Sequence, residues 1–167
     1  MHAVPEFGTV VAMLDRFDRQ LLDLVQREAS RTADSLAIDV PLSPSAIARR
    51  LRRLRRDGWI ARTIALLSPR LKEQRLRALV SIQLSEHADL RGKAALQQRL
   101  IGAEEVQFCY ETTGGHDMLA LFDCASMAAF NALCDALLTA DATVRRYETS
   151  FVKREIKFAP FVTLGEG

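Results

Sequence analysis

The residues best suited to chemistry lie in the stretch from Leu42 to Ile60, LSPSAIARRLRRLRRDGWI, which carries six arginines within eight positions. A guanidinium group is always charged and presents a rigid fork of donors that matches phosphate oxygens and the edges of bases. Such a density of fixed positive charge suggests a polyanionic partner. A run of charge can equally be a solvated surface, so the elements that hold these side chains must decide between the two interpretations.

The arginines are predicted to lie on one helix with a buried back. At about 100° per residue, three apolar side chains fall on one narrow stripe and most of the arginines fall opposite. The stripe consists of Ile47, Leu51 and Leu54. Ser43 is a suitable N-cap, Pro44 suits the first helical position, and Gly58 suits a C-terminal stop. These signals predict a helix of about 14 residues.

Two more helices and a strand are predicted around it. Leu14 to Glu28 is amphipathic behind a capping Asp15, and Thr32 begins a short helix over Ala33 to Asp39, with Leu36 and Ile38 apolar. Val40 to Leu42 connects this helix to the arginine helix. Trp59 to Leu67 is rich in β-forming residues and ends at Ser68 and Pro69, which favours a wing strand. The arrangement is typical of a winged helix-turn-helix, whose last helix enters the major groove.

The positions of the polar residues on this helix suggest separate roles in DNA binding. Ser45, Arg49 and Arg52 are expected to contact the groove, where arginine can grip guanine. Ser43, the helix N-terminal amides, Arg53 and Arg56 are better placed for phosphates. The full predicted set is Ser43, Ser45, Arg49, Arg50, Arg52, Arg53 and Arg56. A contact with RNA or protein is the alternative, but RNA readers usually stack bases on aromatic side chains, and the helix has none before Trp59.

The second half of the chain alternates strand and helix patterns. The predicted order is βαββαβ, a ferredoxin-like arrangement, so the fold class is α+β, with a winged helix-turn-helix preceding it. The elements are strands 76–85, 105–113, 118–123 and 144–153, and helices 88–101 and 125–138. The first helix is expected to bury Leu90, Ala94 and Leu96 or Gln97 together with Leu100. The second is expected to bury Met127, Phe130, Leu133 and Cys134 together with Leu137 or Leu138.

Such a unit covers one face of its sheet with helices and leaves the other face open. The residues expected to pack against a second copy on that open face are Leu79, Tyr147, Thr149 and Phe151. A homodimer, or a larger assembly, is therefore predicted. Two copies of the basic helix could then read two half-sites of a nearly palindromic duplex.

A glycine turn between the second and third strands is the other candidate site. Backbone N–H groups in such a turn can hold a carboxylate, and Asp117 could meet an ammonium group. The candidate residues are Thr112, Thr113, Gly114, Gly115, His116 and Asp117. The simpler interpretation is an ordinary β-hairpin with solvent-facing side chains.

An enzyme is the alternative from another class. Cys109 and Cys124 lie near His116 and Asp117 in sequence, and a cysteine beside a histidine can be a nucleophile. Both cysteines fall within strand patterns, where small buried thiols are common. The three histidines, His2, His87 and His116, lack zinc-ligand spacing. No catalytic residue, metal or cofactor is therefore predicted.

A length of 167 residues suits one medium domain or two small ones. Residues 1–70 carry 12 Lys and Arg against 8 Asp and Glu, whereas residues 71–167 carry 11 against 13, so positive charge is concentrated in the predicted helix-turn-helix half. The predicted divisions are an extension over 1–13, a DNA-binding domain over 14–68, a linker over 69–75, the ferredoxin-like domain over 76–153 and a tail over 154–167. No apolar run is long enough to cross a bilayer, and the three cysteines lack CxxC spacing. A cytoplasmic protein without disulfides is expected.

Three motifs together resemble the Lrp/AsnC, or feast/famine, transcription regulators. They are LDRFDRQLL from Leu14, the stretch LSPSAIARRLRRLRRDGWI, and the passage from ALLSP to ETTGGHDMLALF. The resemblance extends from about Leu14 to Lys153. Two positions depart from the family pattern: Pro41 stands where a glycine often precedes the recognition helix, and His116 replaces the aromatic residue of a Gly-x-aromatic-Asp turn.

The resemblance has three implications. It implies sequence-specific binding to double-stranded DNA, dimerisation through the second domain, and further assembly into octamers or discs. It also implies that the turn from Thr113 to Asp117 lies at a contact between dimers, where a small-molecule effector, typically an amino acid, binds and changes assembly and operator binding.

Overall fold

The structure is a computed structural model that describes residues 14–86 and 89–164. The predicted extension 1–13, His2, His87, Ala88 and the end of the tail, 165–167, lie outside the described residues. The chain divides into two compact units. One contains the residues up to Leu66 together with those from Phe158 onward, and the other is Leu67–Lys157, so the predicted tail is shared between the units.

The described part of the first unit contains three helices, each with the predicted cap. They are α1 (Arg16–Arg27), α2 (Ala33–Leu36) and α3 (Pro44–Arg56). Asp15 caps α1 in a capping box with Asp18, in which each carboxylate accepts the other residue's backbone N–H. Thr32 caps α2 and Ser43 caps α3. After α3, Gly58 takes a φ of 81°, a conformation that favours glycine and stops the helix as predicted.

The core of this unit lies between the three helices. Leu21 of α1, Leu36 of α2 and the α3 residues Ile47 and Leu54 are fully buried, and Leu51 is nearly so. The predicted apolar stripe of α3 is therefore confirmed. The second helix is shorter than the predicted Ala33 to Asp39, because α2 ends at Leu36, and the Ile38 side chain beyond it is 84% exposed.

Pro41 lies in a turn built without left-handed backbone. Among the described residues only glycines have positive φ, and the chain between α2 and α3 bends through hydrogen bonds from the N–H groups of Asp39 and Val40 to the carbonyl of Leu36. Val40 is fully buried and anchors the turn in the core. A proline at position 41 is compatible with this turn, because its fixed negative φ is of the kind required.

The wing strand predicted over 59–67 is not formed. These residues have no regular secondary structure, although Trp59 and Ile60 pack against the helical core. Ile64 and Leu66 are 63% and 59% exposed. A strand is stabilised by pairing with a neighbour, and no described residue pairs with this segment, so β-forming composition alone did not produce one.

The second unit is a four-stranded antiparallel sheet with helices on one face. Its strands are β1 (Leu76–Leu84), β2 (Val106–Glu111), β3 (Met118–Cys124) and β4 (Val144–Phe151), in the order β2-β3-β1-β4. Its helices are α4 (Leu90–Gly102) and α5 (Met127–Cys134), and α5 continues into a π-helical turn over Asp135–Thr139. A 3₁₀ turn over Pro69–Lys72 precedes β1. The predicted ferredoxin-like order is confirmed.

The helices bury fewer of their apolar residues than predicted. Leu96 and Leu100 of α4 are buried, but Leu90 is 87% exposed and Ala94 is also exposed. On α5, Phe130 and Cys134 are buried, while Met127 is 47% exposed. Leu137 and Leu138, which lie in the π-helical turn, are both buried.

The strand register corrects the predicted open face. Tyr147, Thr149 and Phe151 stand opposite Ile82, Val80 and Ala78, which are buried beneath the helices. Directly paired residues of antiparallel strands point to the same face, so these three β4 residues lie on the covered side. Phe151 also meets the Phe130 ring of α5 at 5.3 Å.

Leu79 lies on the open face, as predicted, among apolar neighbours that the sequence did not reveal. Leu79 pairs with Leu121, and Leu119 pairs with Tyr110. Phe108 stacks on Tyr110 with ring centroids 4.9 Å apart. The open-face patch, as we call it, consists of Leu79, Phe108, Tyr110, Leu119 and Leu121.

Candidate functional sites

The arginine face of α3 is exposed, as its amphipathic pattern predicts. Ser43, Ser45, Arg49, Arg52 and Arg56 are all exposed. Arg49 and Arg52 make no ion pair with another described residue, whereas Arg56 Nε lies 2.9 Å from Asp57 Oδ1. The unpaired guanidinium groups are therefore free to meet an external anion.

Arg55 is a third exposed arginine of α3 without an ion pair to a described residue. It is not among the DNA contacts predicted from the sequence, and its angular position lies beside the apolar stripe. The structure leaves that flank of the helix uncovered. Only the exposure of the flank, a property of how α1, α2 and α3 pack, could have identified it.

Arg50 and Arg53 turn back toward α1. Arg50 Nη1 donates to Asp18 Oδ1 at 2.8 Å and to Asp15 Oδ2 at 2.6 Å, and Arg53 Nη2 donates to Asp18 Oδ2. The Asp18 side chain is only 2% exposed. Two of the seven predicted DNA contacts are thus held by carboxylates of the same chain.

These contacts shift the pKa values of Arg50 and Asp15. The hydrogen bond to Asp15, with further contributions from Asp18, raises the pKa of Arg50. Partial burial raises the pKa of Asp15, but hydrogen bonds from the Asp18 N–H and from Arg50 outweigh it and leave that pKa below its ordinary value. Both groups are therefore charged at neutral pH.

The N-terminus of α3 has the predicted capping geometry. Ser43 Oγ accepts the Ala46 N–H at 3.3 Å and lies 3.1 Å from Ser45 Oγ. Helix N-terminal amides carry partial positive charge and attract anions. Both hydroxyls are exposed at this end, beside the arginine face.

The glycine turn connects β2 to β3 as a tight hairpin. The Thr112 N–H donates to the Asp117 carbonyl at 2.9 Å, and Thr112 Oγ1 donates to the His116 carbonyl at 2.7 Å. Gly114 has a φ of 124°, which few other residues adopt, whereas a Cβ added at Gly115 would meet nothing within 4 Å. Thr113 and both glycines are exposed at the tip.

Asp117 has a structural role in this hairpin. Its backbone N–H donates to the Ile82 carbonyl at 2.9 Å, and its Oδ2 accepts the Leu84 N–H at 2.8 Å, beside an irregularity in the pairing of β1. One carboxylate oxygen is therefore already engaged with the backbone of β1. No described side chain donates to the other in a hydrogen bond, so it could still meet an ammonium group.

His116 lies beside charged residues of β4. Its Nε2 is 3.6 Å from Glu148 Oε2, and Arg146 Nη2 is 3.5 Å from Glu148 Oε1. His116 Nε2 is shielded from solvent and has no hydrogen-bond partner among the described residues. The histidine therefore makes this side of the turn polar, at the position where the sequence resemblance predicts an aromatic residue.

The cysteines are poorly suited to nucleophilic chemistry. Burial raises the pKa of Cys109, which packs against the core, and raises that of Cys134 to about 11. A neutral thiol is a weak nucleophile at neutral pH. No hydrogen bond joins Cys109 to His116, and no group of three or more potential ligands in the described chain is arranged to hold a metal ion.

Among the described residues no helix combines the length and apolar character needed to cross a membrane.

Comparison with known proteins identifies both units. Residues 14–61 match a family model described as winged helix-turn-helix DNA-binding, and residues 77–160 match one described as Lrp/AsnC ligand binding domain. The leucine-responsive regulatory protein of Salmonella typhimurium is 33% identical over 147 residues, covering 86% of this chain and 87% of that protein.

Two solved structures extend the likeness to the fold. An AsnC family regulator from Agrobacterium tumefaciens is 26% identical with a TM-score of 0.79, and the match covers 90% of this chain and 97% of that one. A Neisseria meningitidis transcriptional regulator in complex with L-Met is 28% identical with a TM-score of 0.80 and the same coverage. With its winged helix-turn-helix match, its ligand-binding-domain match and these relatives, the chain belongs to the Lrp/AsnC family of transcriptional regulators.

Proposed function

We propose that the exposed face of α3 reads duplex DNA through Ser45, Arg49 and Arg52, with Arg55 and Arg56 on phosphates. One observation supports this assignment most strongly. The apolar stripe of α3 is buried while its exposed side presents Arg49, Arg52 and Arg55, whose guanidinium groups no described carboxylate neutralises. Arginine in the major groove can bind guanine O6 and N7 with two hydrogen bonds.

A mobility-shift titration with DNA from upstream of the protein's own gene tests this assignment. The double variant Arg49→Ala with Arg52→Ala should lose most of the shift. Arg27→Ala is the matched control, because Arg27 is an exposed arginine of α1 that pairs with Asp23. An unchanged shift in the double variant would contradict the assignment.

We further propose that an amino acid is the effector and that it binds at the turn from Thr112 to Asp117. Gly114 and Gly115 are exposed, and backbone N–H groups in such a turn suit a carboxylate, while the remaining Asp117 oxygen suits an ammonium group. The L-Met complex of the Neisseria meningitidis relative supports an amino acid as the class of ligand. The polar side chains of His116 and Glu148 beside the turn would favour an effector that itself has a polar side chain.

Isothermal titration against the twenty amino acids tests this proposal. At least one should bind wild-type protein, and Gly115→Val should weaken it, because the added side chain occupies the space at the turn tip. Since a Cβ at Gly115 meets no neighbour within 4 Å, the variant should still fold. Absence of heat with all twenty would contradict the proposal.

Assembly through the open-face patch completes the proposed function. Tyr110 is 60% exposed and stacks on Phe108, so this face presents aromatic surface that a second copy would bury. Tyr110→Glu should shift sedimentation toward monomer. Leu90→Glu is the control, because Leu90 is 87% exposed on α4 and outside the patch. A dimer unaffected by Tyr110→Glu would place the interface elsewhere.

A further inference from the structure

Asp18 is a buried carboxylate of the first unit, and the charges that compensate it come from the recognition helix. It lies on α1, its side chain is 2% exposed, and its two oxygens accept hydrogen bonds from Arg50 and Arg53 of α3. A buried carboxylate is stable only when it is paired and hydrogen-bonded. The burial of the Asp18 carboxylate therefore depends on the two arginines of α3, and the placement of α3 depends on Asp18.

The hydrogen bonds between Asp18 and α3 depend on direction, whereas the apolar packing in the rest of the interface between α1 and α3 does not. Apolar packing of Ile47, Leu51 and Leu54 fixes which side of α3 is buried but resists small rotations and slides only weakly. Arg50 and Arg53 lie three positions apart, one on each oxygen of a single carboxylate. The capping box holds Asp18 in turn, because its backbone N–H donates to Asp15 Oδ1 at 2.8 Å. The rotation of α3 about its own axis is thereby fixed relative to α1.

We propose that Asp18 is a positioning residue that sets the DNA selectivity of this protein. It divides the α3 arginines into two sets. Arg50 and Arg53 are held on the protein, and the others, Arg49, Arg52, Arg55 and Arg56, are left to face the duplex. This inference rests on the proposed DNA contacts of α3. Asp18 itself does not touch DNA, but it determines which guanidinium groups do.

Removing the charge of Asp18 should then have opposite effects on two kinds of duplex. Arg53 loses its partner and Arg50 keeps only its pair with Asp15, so one or both can meet phosphates of any sequence, which strengthens nonselective binding and its salt dependence. At the same time the orientation of α3 is relaxed, so base contacts that require exact placement are weakened. A loss of folded protein alone would instead weaken both kinds of binding by the same factor.

The experiment compares wild type with Asp18→Asn as full chains on two duplexes. One is the duplex that wild type selects from a random library, and the other is the same duplex scrambled. The selectivity ratio, which is the Kd for the scrambled duplex divided by the Kd for the selected duplex, should fall at least about fivefold. That is the lower end of the discrimination that one bidentate base contact provides. On the scrambled duplex, the slope of log Kd against log salt should steepen by about 0.9 to 1.8 per chain, for one or two freed arginines.

Three matched variants complete the test. Asp23→Asn, on the same helix and paired with Arg27, should behave as wild type. Asp18→Glu, which keeps the charge, should recover part of the lost ratio. The double variant Arg50→Gln with Arg53→Gln should lower the ratio without steepening the salt dependence on the scrambled duplex, because no arginine is freed. If Asp18→Asn does not fold, this double variant tests the role of the contact in selectivity instead.

The possible failures are distinguishable. If wild type selects no duplex, the proposed DNA contacts themselves are refuted. If it selects one but Asp18→Asn changes both affinities by an equal factor, or neither, the contacts stand and Asp18 has no role in selectivity.

Discussion

Replacing Arg49 and Arg52 by glutamine should flatten the salt dependence of DNA binding while leaving the protein folded. Both side chains are exposed and make no ion pair with another described residue, so glutamine removes charge without removing a structural contact. Each arginine that neutralises a phosphate contributes about 0.9 to the slope of log K against log salt. The effect on the slope therefore counts contacts directly.

The structure sets the size of the expected slope. Three α3 arginines without a described ion-pair partner, Arg49, Arg52 and Arg55, contribute about 2.7 per chain if each neutralises one phosphate. Arg56 adds up to about 0.9 if DNA displaces it from Asp57. Arg50 and Arg53 should add little, because buried Asp18 already holds them. In a dimer bound to two half-sites these values double.

Fluorescence anisotropy with a labelled duplex over a series of salt concentrations gives the slope. Each single change, Arg49→Gln or Arg52→Gln, should lower it by up to about 0.9 per chain, and by less where the arginine grips a base instead of a phosphate. Arg27→Gln on α1 is the control and should leave it unchanged. The reasoning would be refuted if Arg50→Gln reduced affinity and slope as much as Arg49→Gln, or if neither Arg49→Gln nor Arg52→Gln altered affinity or slope.

Three further predictions concern stability. Gly114→Ala should destabilise by about 1–3 kcal/mol because of its φ of 124°, while Gly115→Ala should be near neutral, and thermal melts of the pair would show whether the turn is strained as described. Asp123→Ala should cost about 1–3 kcal/mol in urea unfolding, because the buried carboxylate accepts hydrogen bonds from Arg75 and Gln107; a change within error would contradict that role. The pKa of Asp15 lies below its ordinary value in the folded state, so its contribution is present above pH 3.8 and is lost as pH falls further; Asp15→Asn should flatten the acid limb of stability against pH, and an unchanged limb would argue against the pairing with Arg50.

Local signals predicted the helices of the first unit well. The position of α3 follows from Ser43, Pro44 and Gly58, each of which acts on its own neighbourhood in the chain. The order βαββαβ likewise follows from short-range periodicity, which is a property of consecutive residues. Both kinds of signal survive because tertiary packing reinforces them.

Features that depend on distant partners could not be predicted in this way. Asp18 lies 32 and 35 residues from the arginines it binds, so no local pattern shows that they are paired. The face of β4 depends on its register with β1, which places Tyr147 opposite Ile82 and under the helices. The strand expected over 59–67 failed for the same reason, since strand formation depends on a partner that composition does not supply.

The central claim is that the arginine face of α3 lies in the major groove of duplex DNA. Methylation protection of guanine N7 on a selected duplex measures this directly, because that atom is exposed only in the major groove. The account predicts protected guanines in two clusters about one or more helical turns apart, lost when Arg49 and Arg52 are replaced by glutamine. Bound duplex with unprotected guanines, or protection that survives both replacements, would contradict it.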